Sequence, residues 1–421
     1  MIKLLYNPAQ ILTLNTKGKN FKRGAEMNDV NLLTGHSILI KDNLIKEIIP
    51  NSETDKVSAD EIIDLTDKVV FPGLVECHTH LVFAGSRANE FKMKVTGSTY
   101  EDIAKSGGGI VSTMNAVRNS SYEELLELSR RRIIDFIKQG ITTLEIKSGY
   151  GLNFESEIKL LNVINQLKKE FPIDIIPTFL GAHTFPPEFI SDRQGYVKLL
   201  IDKLIPFIAE NNLSASCDGF CEATAFTPNE IEGIFSAAQN HQMRVKLHSE
   251  QFNAIGGLQS AMKFNPLSVD HLEVLKYEDI HHFTNSETVA VLLPGVSYFL
   301  NYQFAPAREL IDKNSIVALA TDFNPGSSHI QNISLIMNLA ALKMKMTFEE
   351  IISAYTINSA KALNISEQTG SIEPGKFADF AIFDTNDYSD IIYSVGTNLC
   401  SMVIKKGNTI YKKPMETYEN Y

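Results

Sequence analysis

Eight short apolar runs, separated by stretches with helix start and stop signals, constrain this chain more than any other feature. They fall at 69–76, 141–146, 173–180, 219–222, 243–247, 267–270, 288–293 and 316–320. Alternation of strand-like and helix-like stretches predicts a parallel α/β architecture. Eight such strands are the number a closed (β/α)8, TIM-like barrel requires. Ser121-Tyr122-Glu123-Glu124, Thr227-Pro228-Asn229-Glu230 and Thr347-Phe348-Glu349-Glu350 read as capping boxes, the second with proline at the first helical position. Gly140 closes the helix that starts at Ser121. Leu125, Leu128, Arg132 and Phe136 fall on one mostly apolar face of that helix, suited to packing on a barrel wall.

The two chain ends differ from the middle. Residues 37–40 and 44–49 flank Lys41-Asp42-Asn43, which predicts a hairpin. Residues 377–384 and 402–411 have the same strand-rich texture, with a turn at Lys405-Lys406-Gly407-Asn408. We expect both ends to pair into one small β-sandwich domain, made of 1–67 and 369–421, around a barrel at 68–368. A chain of 421 residues with 44% hydrophobic content can bury a core of that size.

The net charge of −11 counts against a nucleic-acid partner, which would need a basic patch. No apolar run approaches a bilayer span, so no membrane partner is expected. The first residues carry polar breaks and no small-residue cleavage site, which predicts no signal peptide. Of the four cysteines, only Cys217 and Cys221 are close, and a strand would hold them too far apart for a disulfide. Buried thiols in a reducing cytoplasm are the expectation.

The chemistry gathers at the C-terminal ends of the predicted strands, where barrel active sites lie. His78-Thr79-His80 ends the first run, and alternate residues of an extended chain point the same way. Lys147, Ser148 and Tyr150 follow the second run, His183 the third, His248 the fifth, His271 the sixth and Asp322 the eighth. The chain has only ten histidines, so their collection at equivalent strand ends needs a common cause. Singly, each has a blander account: paired histidines can be satisfied at a strand end, and Asp-Phe-Asn-Pro-Gly is rich in turn formers. Gly107-Gly108-Gly109 reads as a loop over the barrel mouth, and is weak as a phosphate cradle because no lysine follows at the right spacing. His281 and His282 lie in a polar stretch and read as surface residues.

Pro72-Gly73-x-x-Glu76-x-His78-x-His80 resembles the first metal strand of the amidohydrolase superfamily. The longer run through Phe83-Ala84-Gly85, Arg87 and Glu90-Phe91 is similar to the imidazolonepropionase family within it, as is Lys147–Gly151. Residues 371–380 resemble the segment by which such chains leave the barrel and re-enter the sandwich. The resemblance implies His78, His80, His248 and Asp322 as ligands of one divalent metal per chain, Zn(2+) or Fe(2+/3+). Three neutral imidazoles and a carboxylate suit those ions. Dinuclear relatives use a carboxylated lysine at the end of the fourth strand, and no lysine stands there, which favours one metal; Lys147 is then a pocket residue or one behind the ligands.

By the same resemblance Arg87, Tyr100, Tyr150 and His183 contact a substrate, and Asn324, Gly326 and Ser327 line the product side. The substrate implied is 4-imidazolone-5-propanoate, hydrolysed to N-formimino-L-glutamate in histidine degradation. Arg87 suits its carboxylate, since a guanidinium pairs with one two-pronged. Asp322 would move the proton and His271 would serve the oxyanion. Gln251 departs from the glutamate of some relatives; an amide cannot move a proton but can hold the ring. A nucleobase or cyclic-amidine deaminase would use the same barrel and metal, but its substrates carry no carboxylate for Arg87. A non-catalytic scaffold would have lost a ligand. Barrels of this type are often homodimers.

Overall fold

The computed structural model describes residues 1–97 and 108–414. The chain opens with β1 (Ile2–Tyr6), β2 (Gln10–Leu12), β3 (Leu32–Leu33), β4 (His36–Lys41), β5 (Leu44–Pro50) and β6 (Glu61–Asp64). The expected hairpin is β4–β5, and Asp42 in its turn takes a φ of +58°. β7 (Val69–Pro72) and β8 (Leu74–Glu76) follow, with Gly73 between them. The sequence reading of one barrel strand over 69–76, and with it a barrel starting at 68, is corrected here. β7 pairs with end-domain strands and only β8 joins the barrel. Gly73 is the cause: a Cβ there would lie 2.2 Å from the Thr142 hydroxyl. The backbone crosses from one sheet to the other through a gap no side chain fits.

The remaining barrel strands are β9 (Ile141–Lys147), β10 (Asp174–Ala182), β11 (Ser216–Cys221), β12 (Arg244–Ser249), β13 (Ser268–His271), β14 (Val289–Leu292) and β15 (Ile316–Leu319). With β8 they form one eight-stranded parallel sheet in sequence order. Polar contacts draw its two edges together. The Glu76 carboxylate accepts from Thr321 N, and His80 N donates to Phe323 O. Strand ends are what carry the site, so this closure brings His78 and His80 beside Asp322.

The capping boxes at Ser121, Thr227 and Thr347 all form, starting helices Tyr122–Ile137, Pro228–Asn240 and Phe348–Ser353. The first helix buries Leu125, Leu126, Ser129, Ile133, Phe136 and Ile137. Leu128, read as part of that face, is instead 36% exposed. Arg132 lies flat over the Phe83 ring and donates to Leu81 O and Phe83 O, holding the loop that follows the histidine pair.

β16 (Phe380–Phe383), β17 (Cys400–Lys405) and β18 (Asn408–Lys412) complete the end domain. One sheet runs β5-β4-β1-β6 and the other β18-β17-β16-β7-β2-β3, so both chain ends share the second sheet. Leu5, Ile38 and Ile40 of the first meet Val70, Phe380 and Ile404 of the second in one apolar core, as a sandwich requires. Lys406 and Gly407 both take positive φ in the β17–β18 turn, the conformation tight hairpins favour. No described helix is long and apolar enough to cross a membrane. All four cysteines are free and buried.

Candidate metal centre and active site

β8 runs straight into His78 and His80, β12 carries His248, β13 ends at His271, and Asp322 lies just beyond β15. Their side chains gather in two trios that share His78: His78, His80 and Asp322 in one, His78, His248 and His271 in the other. Asp322 Oδ1 stands 3.4 Å from His78 Nε2 and 3.3 Å from His80 Nε2. His248 Nε2 stands 3.4 Å from His80 Nε2. Ligands about 2.0–2.1 Å from a tetrahedral ion are separated by roughly 3.3–3.4 Å, so this spacing suits zinc-like coordination. His271 comes close to His78 and His248 but belongs to a different trio from Asp322.

The protonation pattern also fits a cation. His78 Nδ1 donates to Asp270 Oδ2 at 2.6 Å and His248 Nδ1 to Asp218 Oδ1 at 3.1 Å. Each carboxylate fixes its ring with the Nε2 lone pair facing inward. His78 Nε2 and Asp322 Oδ1 are buried and lack a hydrogen-bond partner among the described residues. Inward lone pairs and a carboxylate oxygen this close repel unless a positive ion sits among them. Burial keeps His248 neutral, with its pKa pushed down to about 3 despite the neighbouring Asp218. Asp322 takes φ +50° and His271 φ +85°, backbone strain of the kind that collects at functional sites.

Around this point the other expected residues are placed unevenly. Tyr150 and His183 pack on His80, with ring centroids 5.7 and 5.1 Å from it. His183 Nδ1 bonds Gly149 O. Burial and the nearby His80 and His248 hold the His183 pKa well below its ordinary value. Burial first, then Asp322, raises that of Tyr150, while the Arg87 charge acts the other way. Arg87 Nε donates to Glu90 at 2.8 Å. Gly326 packs on it so tightly that a Cβ would lie 2.0 Å from Nη1. Beside Arg87 lies a cavity of about 450 Å3 walled by Phe91, Phe299, Gly326 and His329.

Asn324 is bound up in its own loop. Its amide oxygen accepts from Gly326 N and Ser327 N, and its nitrogen donates to Asp322 O and the Ser327 hydroxyl. Both amide atoms are spent shaping the loop beyond Asp322. Gln251 is buried, just past Glu250 at φ +57°. Tyr100 and Gly107 lie outside the described residues; Gly109 takes φ +83° and caps helix Ile110–Asn119. His281 is exposed, as expected.

Sequence reasoning missed the layer beneath the ligands: Glu145, Asp218, Lys246 and Asp270, all at most 1% exposed. Lys147 belongs to this layer, bonded to Asp218 at 2.8 Å, behind the ligands. Glu273, 3.3 Å from His271 Nδ1, was missed too. A signal exists. Glu76 and Lys246 each stand two positions before a ligand in an otherwise apolar strand, so they share its inward side.

The chain matches the pattern of the Amidohydrolase family over residues 69–410. It is 42% identical to an imidazolonepropionase of Flavobacterium johnsoniae over 411 residues, covering 97% of this chain and 100% of that one. With an imidazolonepropionase of Geobacillus thermodenitrificans it shares 43% identity, covering 91% and 92%. Among solved structures, a zinc-bound adenosine deaminase from Xanthomonas campestris superposes with TM-score 0.72 at 17% identity, covering 97% and 92%. A zinc complex of atrazine chlorohydrolase from Arthrobacter aurescens gives 0.71 at 15%, covering 97% and 95%. At such identities these two speak for the fold alone. With full-length relatives at about two residues in five, the chain belongs to the imidazolonepropionases of the amidohydrolase family.

Proposed function

We propose that this hydrolase opens the ring amide of 4-imidazolone-5-propanoate to give N-formimino-L-glutamate, using one divalent ion held by His78, His80, His248 and Asp322. The observation that carries the reading is identity to imidazolonepropionases along nearly the whole chain. When bound, the ion supplies Lewis acidity: it lowers the pKa of water toward neutrality and polarises the ring carbonyl.

The chain's own residues supply the rest. Asp322, through the carboxylate oxygen not turned to the ion, accepts a proton from the attacking water and returns it to the departing ring nitrogen. Glu273 holds His271 by Nδ1, leaving its other nitrogen to donate to the developing oxyanion. Burial opposes a charged His271, but Glu273 overrides it and lifts the pKa above its ordinary value, which favours a donor. Tyr150 and His183 flank the ring, Gln251 holds it through its amide, and Arg87, steadied by Glu90, takes the propionate. Asn324 acts through the loop that sets Gly326 against Arg87.

The test is direct. Purified protein should bleach the absorbance of imidazolonepropionate and form formiminoglutamate one for one. Ammonia release from a purine or pyrimidine, with imidazolonepropionate untouched, would instead place the chain among the deaminases.

A further inference from the structure

Glu145 of β9 touches none of the four ligands, yet it lies at the centre of the charged layer below them. Lys147 Nζ and Lys246 Nζ each stand 2.8 Å from it, one on each carboxylate oxygen. Lys147 reaches on to Asp218 Oδ2 at 2.8 Å, and Asp218 Oδ1 accepts from His248. Both ammonium groups stand 3.9 Å from Asp270 Oδ2, the atom that accepts from His78. One glutamate thus links, through two lysines, the carboxylates that aim two different imidazoles. The barrel puts them in register: Lys246 pairs with Asp218 across β11–β12, and His248 with Asp270 across β12–β13.

We infer that Glu145 is a positioning residue that sets the direction of the His78 and His248 donor nitrogens together. The inference rests on the proposed metal site and assigns it a support that the ligands themselves do not provide. Without Glu145, Lys147 would keep only Asp218 and Lys246 only the Cys77 carbonyl, and ammonium groups this deep turn toward the nearest carboxylates. Lys147 and Lys246 would then both crowd Asp218 and Asp270 and draw their oxygens off the imidazole N–H groups. Each carboxylate then loses the geometry that holds its ring. A misaimed ring weakens coordination without removing a ligand, an effect that typically costs 10- to 100-fold in metal affinity.

The test compares wild type with Glu145→Gln in two measurements. The first is zinc release to a chromogenic chelator; Glu145→Gln should release about 10- to 100-fold faster. The second uses metal-free protein, where imidazole Nδ1 protons held by carboxylates give separate downfield proton resonances. Asp270→Asn and Asp218→Asn identify the signals of His78 and His248. Glu145→Gln should shift or broaden both, and Lys147→Met chiefly that of His248. If folded Glu145→Gln releases zinc at the wild-type rate or leaves both resonances in place, the inference is overturned. If Glu145→Gln does not fold, Lys147→Met decides alone: an unchanged His248 signal overturns it. If wild type itself binds no metal, the site reading fails, while the metal-free resonances still judge Glu145.

Discussion

At the scale of single residues, the role proposed for Arg87 is the one that ties the pocket to a carboxylate-bearing substrate. Its Nε is committed to Glu90, so a propionate would meet Nη1 and Nη2. Its side chain is 21% exposed, so solvent screens the pair only in part. Arg87→Ala should cost about 2–4 kcal/mol, roughly 30- to 1,000-fold in kcat/KM, with metal content unchanged. On an analogue without the carboxylate, wild type and variant should perform equally poorly. Equal harm to both substrates would mark the Arg87–Glu90 pair as loop architecture only. Gly326→Ala offers an independent check, because its methyl group would displace the guanidinium. It should raise KM about 10-fold and leave metal content alone. His248→Ala should lose both metal and turnover yet stay folded; retained metal with full activity would take His248 out of the site. The candidate ligands stood out in the sequence because they follow recognisable apolar runs, whereas Arg87 stood out only through the family resemblance. The loop bonds of Asn324 were not legible, because a turn amide can serve a ligand or its own loop and sequence does not separate the two. Glu145 and Asp270 were hidden because a charge inside a strand is ordinarily an outward one.

At the scale of elements, strand–helix alternation and capping boxes carried the barrel, since both are written in local chemistry. The switch at Gly73 was only half legible: Pro72-Gly73 marks a bend, but nothing local says that the apolar stretches on its two sides join different sheets. What parts the two strands is Thr142, about seventy residues away. Gly140 shows how one glycine serves two needs. It takes φ +100° after its helix, and a Cβ would stand 2.9 Å from the Ala381 methyl group of β16. Gly140→Ala should destabilise the protein by about 1–3 kcal/mol through backbone strain and the close approach. The denaturation midpoint should fall while kcat of the folded fraction holds. An unchanged midpoint would mean that β16 gives way easily at this contact.

At the scale of the whole molecule, charge fastens sandwich to barrel. Lys405 and Lys406, at the β17–β18 turn, reach the two oxygens of Asp174 at the start of β10, at 2.7 and 2.8 Å. Burial opposes the charged Asp174, but Lys405 and Lys406 together outweigh it and the carboxyl pKa is lowered. A lowered folded-state pKa adds stability above the unfolded value and loses it as pH falls through the folded one. Asp174→Asn should therefore cost about 1–3 kcal/mol near neutrality and little in strong acid. A deficit equal at both pH values would remove the ion pair from the account. Metal analysis should give about one zinc or iron per chain; two ions, both needed for turnover, would contradict a site without a bridging lysine. The path of β7 has a consequence for how the protein is made. This strand leads through Gly73 to His78 and His80, and it is held on one side by β2 and on the other by β16, some three hundred residues later. A growing chain therefore displays every proposed ligand before β7, the strand leading to the first two, has its second neighbour. Contacts this remote form late and slowly. A nascent chain stopped just before β16 should hold metal poorly although it lacks none of the proposed ligands, so maturation of the centre waits on β16.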